Sequence, residues 1–83
     1  MKESLNLKTI KKIREEKGLS RMQLSKLSGV PLTTLHDLEE GITINPRILT
    51  LFALAAAFQL DISKFIALLQ EEKINGIGKT YQA

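Results

Sequence analysis

Apolar residues along this chain recur three or four positions apart, and the strict alternation of a half-buried strand is missing. Leu7, Ile10 and Ile13 make the first stripe, Leu24 and Leu27 the second, Leu35 and Leu38 the third. Beyond residue 46 the apolar positions thicken into two segments, one around Leu51, Leu54 and Phe58, the other around Ile62, Phe65 and Leu69. The pattern predicts five helices and an all-α fold.

Local signals place the helix ends. The first helix is expected over about residues 7–17, with Asn6 as N-cap, Leu5 and Ile10 as a hydrophobic staple, and Gly18 as the left-handed stop. Ser20 and Gln23 read as a capping box for the second helix, with Leu19 and Leu24 as its staple, and Gly29 ends it. The third helix starts near Pro31, which suits a first helical position because it has no N–H to leave unpaired, and stops at Gly41. Asn45 is the expected N-cap of the fourth, with Pro46 at its first position and Ile44 stapled to Leu49; that helix runs to about Phe58. Asp61 caps the fifth, with Leu60 and Phe65 as staple, and it runs to about Glu72. These signals agree with one another at nearly every boundary, which supports the fold more than any single cap. They describe one domain over residues 1–72, with a core over about 7–69 and a loosely held tail over 73–83.

Only Ser28-Gly29-Val30 separates the second helix from the third. A connection this short, containing glycine, makes two short helices cross steeply. The second helix of such a pair is able to enter a DNA major groove while the first lies across the backbone. Leu32, Thr33, His36, Asp37 and Glu40 share the face of the third helix opposite Leu35 and Leu38.

An ordered set of residues surrounds this turn: Arg14, Gly18-Leu19-Ser20, Leu24, Gly29-Val30, Leu35, Leu38-Glu39, Gly41, Pro46, and the Ala55, Phe58 and Leu60 end of the fourth helix. With these the stretch over about residues 7–69 resembles the Cro/C1-type (XRE) helix-turn-helix family of phage repressor domains. The resemblance implies a five-helix lambda-repressor-like bundle in which helices 2 and 3 form the helix-turn-helix. It implies an ion pair between Arg14 and Glu39 that ties the first helix to the third. Leu32, Thr33, His36 and Asp37 then form the base-reading surface. Thr33 and His36 can hydrogen-bond base edges, Leu32 can touch a thymine methyl, and Asp37 can accept from a cytosine amino group. Arg21 and Arg47 fall where the family touches the DNA backbone, and Thr43 and Asn45, in the loop before Arg47, are placed to do so too. Arg21 stands where the family usually has glutamine, and arginine also fits phosphate.

Charge changes this picture. The net formal charge is +3, which is compatible with nucleic acid and equally with ordinary solubility. It is unevenly spread. Residues 1–30 carry eight Lys/Arg and three Asp/Glu, whereas residues 31–46 carry none and three, namely Asp37, Glu39 and Glu40. The expected reading helix is therefore acidic, and no Arg or Gln on its face supplies the commonest guanine or adenine contacts. Phosphate neutralisation must come from Arg21, Lys26, Arg47 and the first helix's lysines. Binding should be weak for a monomer and need a dimer. The fourth helix is apolar around most of its circumference, and a surface helix normally keeps a polar face. That excess points to an interface, with Phe52, Phe58 and Phe65 as candidates.

The expected function is a sequence-specific double-stranded DNA-binding transcriptional regulator, a repressor acting as a homodimer on an inverted repeat. The competing reading is a protein-interaction module on the same fold, an antitoxin or bridging protein. An enzyme is disfavoured: His36 is the single histidine, no glycine-rich phosphate loop is present, and Glu39 has a better use than in a metal cluster with Asp37 and Glu40. No cofactor and no metal is expected. Cysteine is absent, the polar N-terminal MKESLNLKTIKK lacks the apolar run of a signal peptide, and the apolar stretch over 48–58 is too short to span a bilayer. These features point to a cytoplasmic protein.

Overall fold

A computed structural model describes residues 5–43 and 45–70. Its helices are α1 (Thr9–Glu16), α2 (Arg21–Ser28), α3 (Leu32–Glu39), α4 (Ile48–Ala57) and α5 (Ile62–Gln70), and no strand occurs among the described residues. The expected tail over 73–83 and the end of the fifth helix at Glu72 lie outside the described residues, as does Ile44 of the expected staple.

Three helices end in the same way. After α1, the Gly18 N–H donates to the Glu15 carbonyl (3.0 Å) and the Leu19 N–H to the Arg14 carbonyl (3.1 Å). After α3, the Gly41 N–H donates to Leu38 O (3.2 Å) and the Ile42 N–H to Asp37 O (2.8 Å). After α4, the Gln59 N–H donates to Ala56 O (3.0 Å) and the Leu60 N–H to Ala55 O (2.8 Å). Each pair satisfies two otherwise orphaned carbonyls and needs a left-handed residue between. Gly41 meets that need (φ 78°), and a Cβ there would press on the flexible Lys8 side chain, 3.1 Å from its Cε. At the end of α4 the role falls to Gln59 (φ 61°), which bears a side chain in a region that favours glycine.

Three helix starts, those of α1, α3 and α4, differ from expectation by one or two residues. The first turn before α1 is tightened by bonds spanning three residues, such as Thr9 N–H to Asn6 O (3.1 Å), so Lys8 and not Asn6 is the N-cap residue. The Asn6 side chain still accepts from the Lys8 N–H (3.3 Å). Pro31 is the N-cap of α3 instead of its first helical residue; its φ of −57° and extended ψ of 145° suit that place equally. Arg47, not Asn45, precedes α4, and Pro46 lies outside the helix. The core sets that phase: Leu51, Leu54, Ala55 and Phe58 turn inward at helical spacing, leaving Leu49 on the outside with 75% of its surface exposed.

The core is built from all five helices. Ile10, Leu24, Leu35, Leu54, Phe65 and Leu69 are fully buried. Phe58 and Phe65 pack with ring centroids 5.8 Å apart and a tilt of 59°, a favourable edge-to-face arrangement. Two residues expected at an intersubunit surface, Phe58 and Phe65, are thus corrected to core residues of the single chain; only Phe52 of the three is exposed. Leu27, expected in the core, is instead 60% exposed, because Leu24 alone of the α2 residues points fully inward. The Asn6 N–H donates to Leu69 O (2.9 Å), closing the segment before α1 onto α5.

Candidate nucleic-acid interface

The site begins with the turn between α2 and α3. Ser20 Oγ accepts from the Gln23 N–H (3.0 Å) and Gln23 Oε1 accepts from the Ser20 N–H (2.7 Å), so α2 starts in a complete capping box. At its other end Gly29 takes φ 80°, and its N–H donates to Ser25 O (2.8 Å). Two serines then hold the turn. Ser28 Oγ donates to Leu24 O (2.8 Å) and accepts from the Val30 N–H (3.1 Å), while Ser25 Oγ donates to Val30 O (2.6 Å). Val30 is buried, so these hydroxyls satisfy backbone groups that water reaches poorly.

The turn delivers α3 with Leu35, Leu38 and Glu39 inward. Thr33, His36 and Glu40 are exposed, Leu32 keeps 40% of its surface, and Asp37 is half-buried. Leu32, Thr33, His36 and Asp37 therefore stand together on one outward face. His36 Nδ1 and Asp37 Oδ1 are 3.2 Å apart.

The buried side of α3 is pinned by charge. Arg14 grips Glu39 with both ends of its fork, Nε to Oε2 at 2.8 Å and Nη2 to Oε1 at 3.1 Å, and Arg14 Nη1 donates to Leu19 O (2.8 Å). The Glu39 side chain is wholly buried. The hydrogen bond to Glu39 raises the Arg14 pKa above the ordinary arginine value; burial opposes it, and the charges of Glu39 and Glu15 add to the rise. A paired, doubly bonded carboxylate avoids the heavy desolvation cost of a lone buried charge.

Arg21 joins the same knot. Its Nε donates to Glu39 Oε1 (3.1 Å), and its Nη2 reaches Glu40 Oε2 at 3.4 Å. The sequence placed Arg21 toward DNA phosphate; the folded chain turns it onto two carboxylates, with 27% of its side chain exposed. The pairing also accounts for the acidity of the reading helix. Glu39 and Glu40 are matched by Arg14 and Arg21, and the remaining carboxylate, Asp37, lies beside His36. Neither Glu40 nor the two turn serines was assigned from the sequence. A Ser at the second helix's last turn is a weak local signal, and Glu40 gave none, because its partner is 19 residues away.

Thr43, Asn45 and Arg47 gather on the other flank of α3. They line a groove of about 510 Å³ together with Gly29, Pro31 and Thr34. Arg47 is exposed and Thr43 half-buried. Backbone candidates thus stand on both sides of the reading face, Arg21 by Glu39 and Glu40, Arg47 by Thr34 and Leu38.

A family model described as helix-turn-helix matches residues 10–65, most of the chain. The chain belongs to the Cro/C1-type helix-turn-helix family. The matched span opens on Ile10, closes on Phe65, and holds both halves of the Arg14–Glu39 pair. No curated protein matches the chain. Membership makes this helix-turn-helix domain a DNA-binding domain of a kind that typically regulates transcription, and the family is not one of enzymes. Among the described residues no single helix of the domain is long and apolar enough to cross a membrane.

Proposed function

We propose that this domain is a sequence-specific regulator that represses by occupying a promoter as a dimer on an inverted repeat. One observation carries the reading: α3 offers Leu32, Thr33, His36 and Asp37 outward while the core and the Arg14–Glu39 pair fix its opposite side. A reader held this rigidly keeps its hydrogen-bonding groups in place before DNA arrives, so little ordering entropy opposes binding. Leu32 is suited to a thymine methyl, Thr33 and His36 to base-edge acceptors or donors, Asp37 to a cytosine amino group. Arg47, Thr43 and Asn45 serve the phosphates on one flank, and Arg21 on the other.

Dimerisation is supported by α4. Ile48, Leu49 and Phe52 expose 58%, 75% and 46% of their surface on a helix that offers no charged side chain. The same apolar row favours a second reading, a protein-binding module in which α4 meets a different chain. The two are compatible in a protein that binds both a partner and its operator.

Selection of bound duplexes from a random pool at fixed salt, with sedimentation to count chains, tests the proposal. An inverted repeat with half-sites about one helical turn apart, bound by two chains, is the expected outcome. A response of log affinity to log salt that is flat would remove phosphate contact, and with it DNA as the partner.

A further inference from the structure

Arg21 occupies the first position of α2, at a helix start closed by a capping box. Its Nη2 nevertheless spends a donor on Glu40, across 3.4 Å, and both groups are partly open to water, 27% and 46% of their side chains. Glu39 is different: its Oε1 lies 3.1 Å from both Nε and Nη2 of Arg21, and its side chain is wholly buried and already fixed by Arg14. Arg21 is therefore anchored on Glu39, and the longer contact of its Nη2 with Glu40 is the one open to exchange. An exposed carboxylate–guanidinium pair of this kind contributes little net free energy. A DNA phosphate offers the same planar donors an equally charged partner able to take two parallel hydrogen bonds.

We infer that Glu40 is an affinity-setting residue that stands in for a DNA phosphate on Arg21 and must be displaced when the backbone arrives. The inference rests on the DNA reading above and adds a role that reading does not contain. In the free domain Glu40 occupies the outward side of the Arg21 Nη2 group, whose nearer carboxylate is Glu39. On the duplex that group turns to phosphate, Nε stays on Glu39, and Glu40 is released to water close to the polyanion. Glu40 thus weakens binding twice, by competing for the arginine and by repelling the backbone. It holds the domain's affinity for DNA of any sequence low, which leaves relatively more of the binding free energy to the bases read by α3.

The two effects are separable by titrating a mixed-sequence duplex against the full chain over a range of salt. The chains compared are wild type, Glu40→Gln, Glu40→Asp, Arg21→Ala, and Arg21→Ala combined with Glu40→Gln. Arg21→Ala leaves Glu39 paired with Arg14, and thermal melting of each chain corrects for any change in folded fraction. Glu40→Gln is expected to tighten binding about fivefold and to steepen the salt slope by about one. Glu40→Asp keeps the charge but draws the carboxylate back from Arg21, and is expected to tighten binding as well. In the Arg21→Ala background the gain from Glu40→Gln should shrink to the part owed to repulsion alone. Equal gains in both backgrounds, or no gain from Glu40→Asp, overturn the competition. If wild type binds with the usual salt dependence and these variants fail, only the Glu40 role falls; if no chain shows salt-dependent binding, the DNA reading falls first and takes Glu40 with it.

Discussion

The third and fourth helices bury similar stripes and offer opposite outer faces. α3 turns Leu35, Leu38 and Glu39 inward, and α4 turns Leu51, Leu54 and Ala55 inward. Outside, α3 shows Thr33, His36 and Glu40, whereas α4 shows Ile48, Leu49 and Phe52. A polar row is at home against a hydrated, charged surface such as a DNA groove; an apolar row is stabilised by leaving water. The anchoring differs as well. α3 is fixed by a bidentate ion pair of directional hydrogen bonds, and α4 by apolar packing that has no preferred rotation of its own. Direction matters for reading bases, where a shift of an ångström loses a hydrogen bond, and matters less for apolar contact.

The strongest way to break this contrast is to cut the anchor of α3. Glu39→Ala removes the carboxylate that Arg14 grips at 2.8 and 3.1 Å and leaves the guanidinium largely buried without it. The expected loss is about 3–5 kcal/mol of folding stability, a large part of what a domain of this size possesses. Urea denaturation checks it, and a loss under about 1 kcal/mol would show that the knot is decorative. Glu39→Gln, which keeps the shape and one acceptor, should lose less.

Next in size come the outward residues of α3, where stability and recognition are expected to separate. Thr33→Ala and His36→Ala alter exposed positions, so folding should shift by no more than about 0.5 kcal/mol. Discrimination at one base position each should fall by about 1–3 kcal/mol, with other positions unaffected. Arg47→Ala, on the flank, is expected to behave otherwise. It should weaken all sequences alike and reduce the salt slope by about one. Competition titrations with single-base operator variants, repeated at two salt concentrations, distinguish the two behaviours. A uniform loss from Thr33→Ala would move it from the reading face to the backbone.

How far the sequence foretells these features depends on the range over which their causes act. The turn was legible because its determinants are local: a capping box four residues long, and a glycine where φ must be positive. The outward row of α3 was legible from spacing once Leu35 and Leu38 were taken as inward. The phase of α4 was not. Nearly every position there is apolar, so the pattern has no direction, and Phe58 was indistinguishable from Phe52 until packing against Phe65 placed it inside. The start of α4 followed the same packing and overrode the Asn45-Pro46 signal. Arg21 shows a third limit. Its charge was visible, but its partners lie 18 and 19 residues away and meet it only through the crossing of α2 over α3.

The smallest expected effect on folding tests the other half of the contrast. Phe52 exposes 46% of its surface, so Phe52→Ser removes few intrachain contacts and should leave the monomer within about 0.5 kcal/mol of wild type. If α4 is the contact between two copies, the same change takes an aromatic anchor from each side of a two-fold interface, and each copy suffers the loss at once. Sedimentation equilibrium should then show a dimer of wild type and a monomer of the variant at equal concentration. Operator affinity should fall with it, because two half-sites on one duplex no longer share a linked binder. A variant that remains dimeric would separate α4 from self-association and leave its apolar row to a different protein, while the reading by α3 would stand untouched.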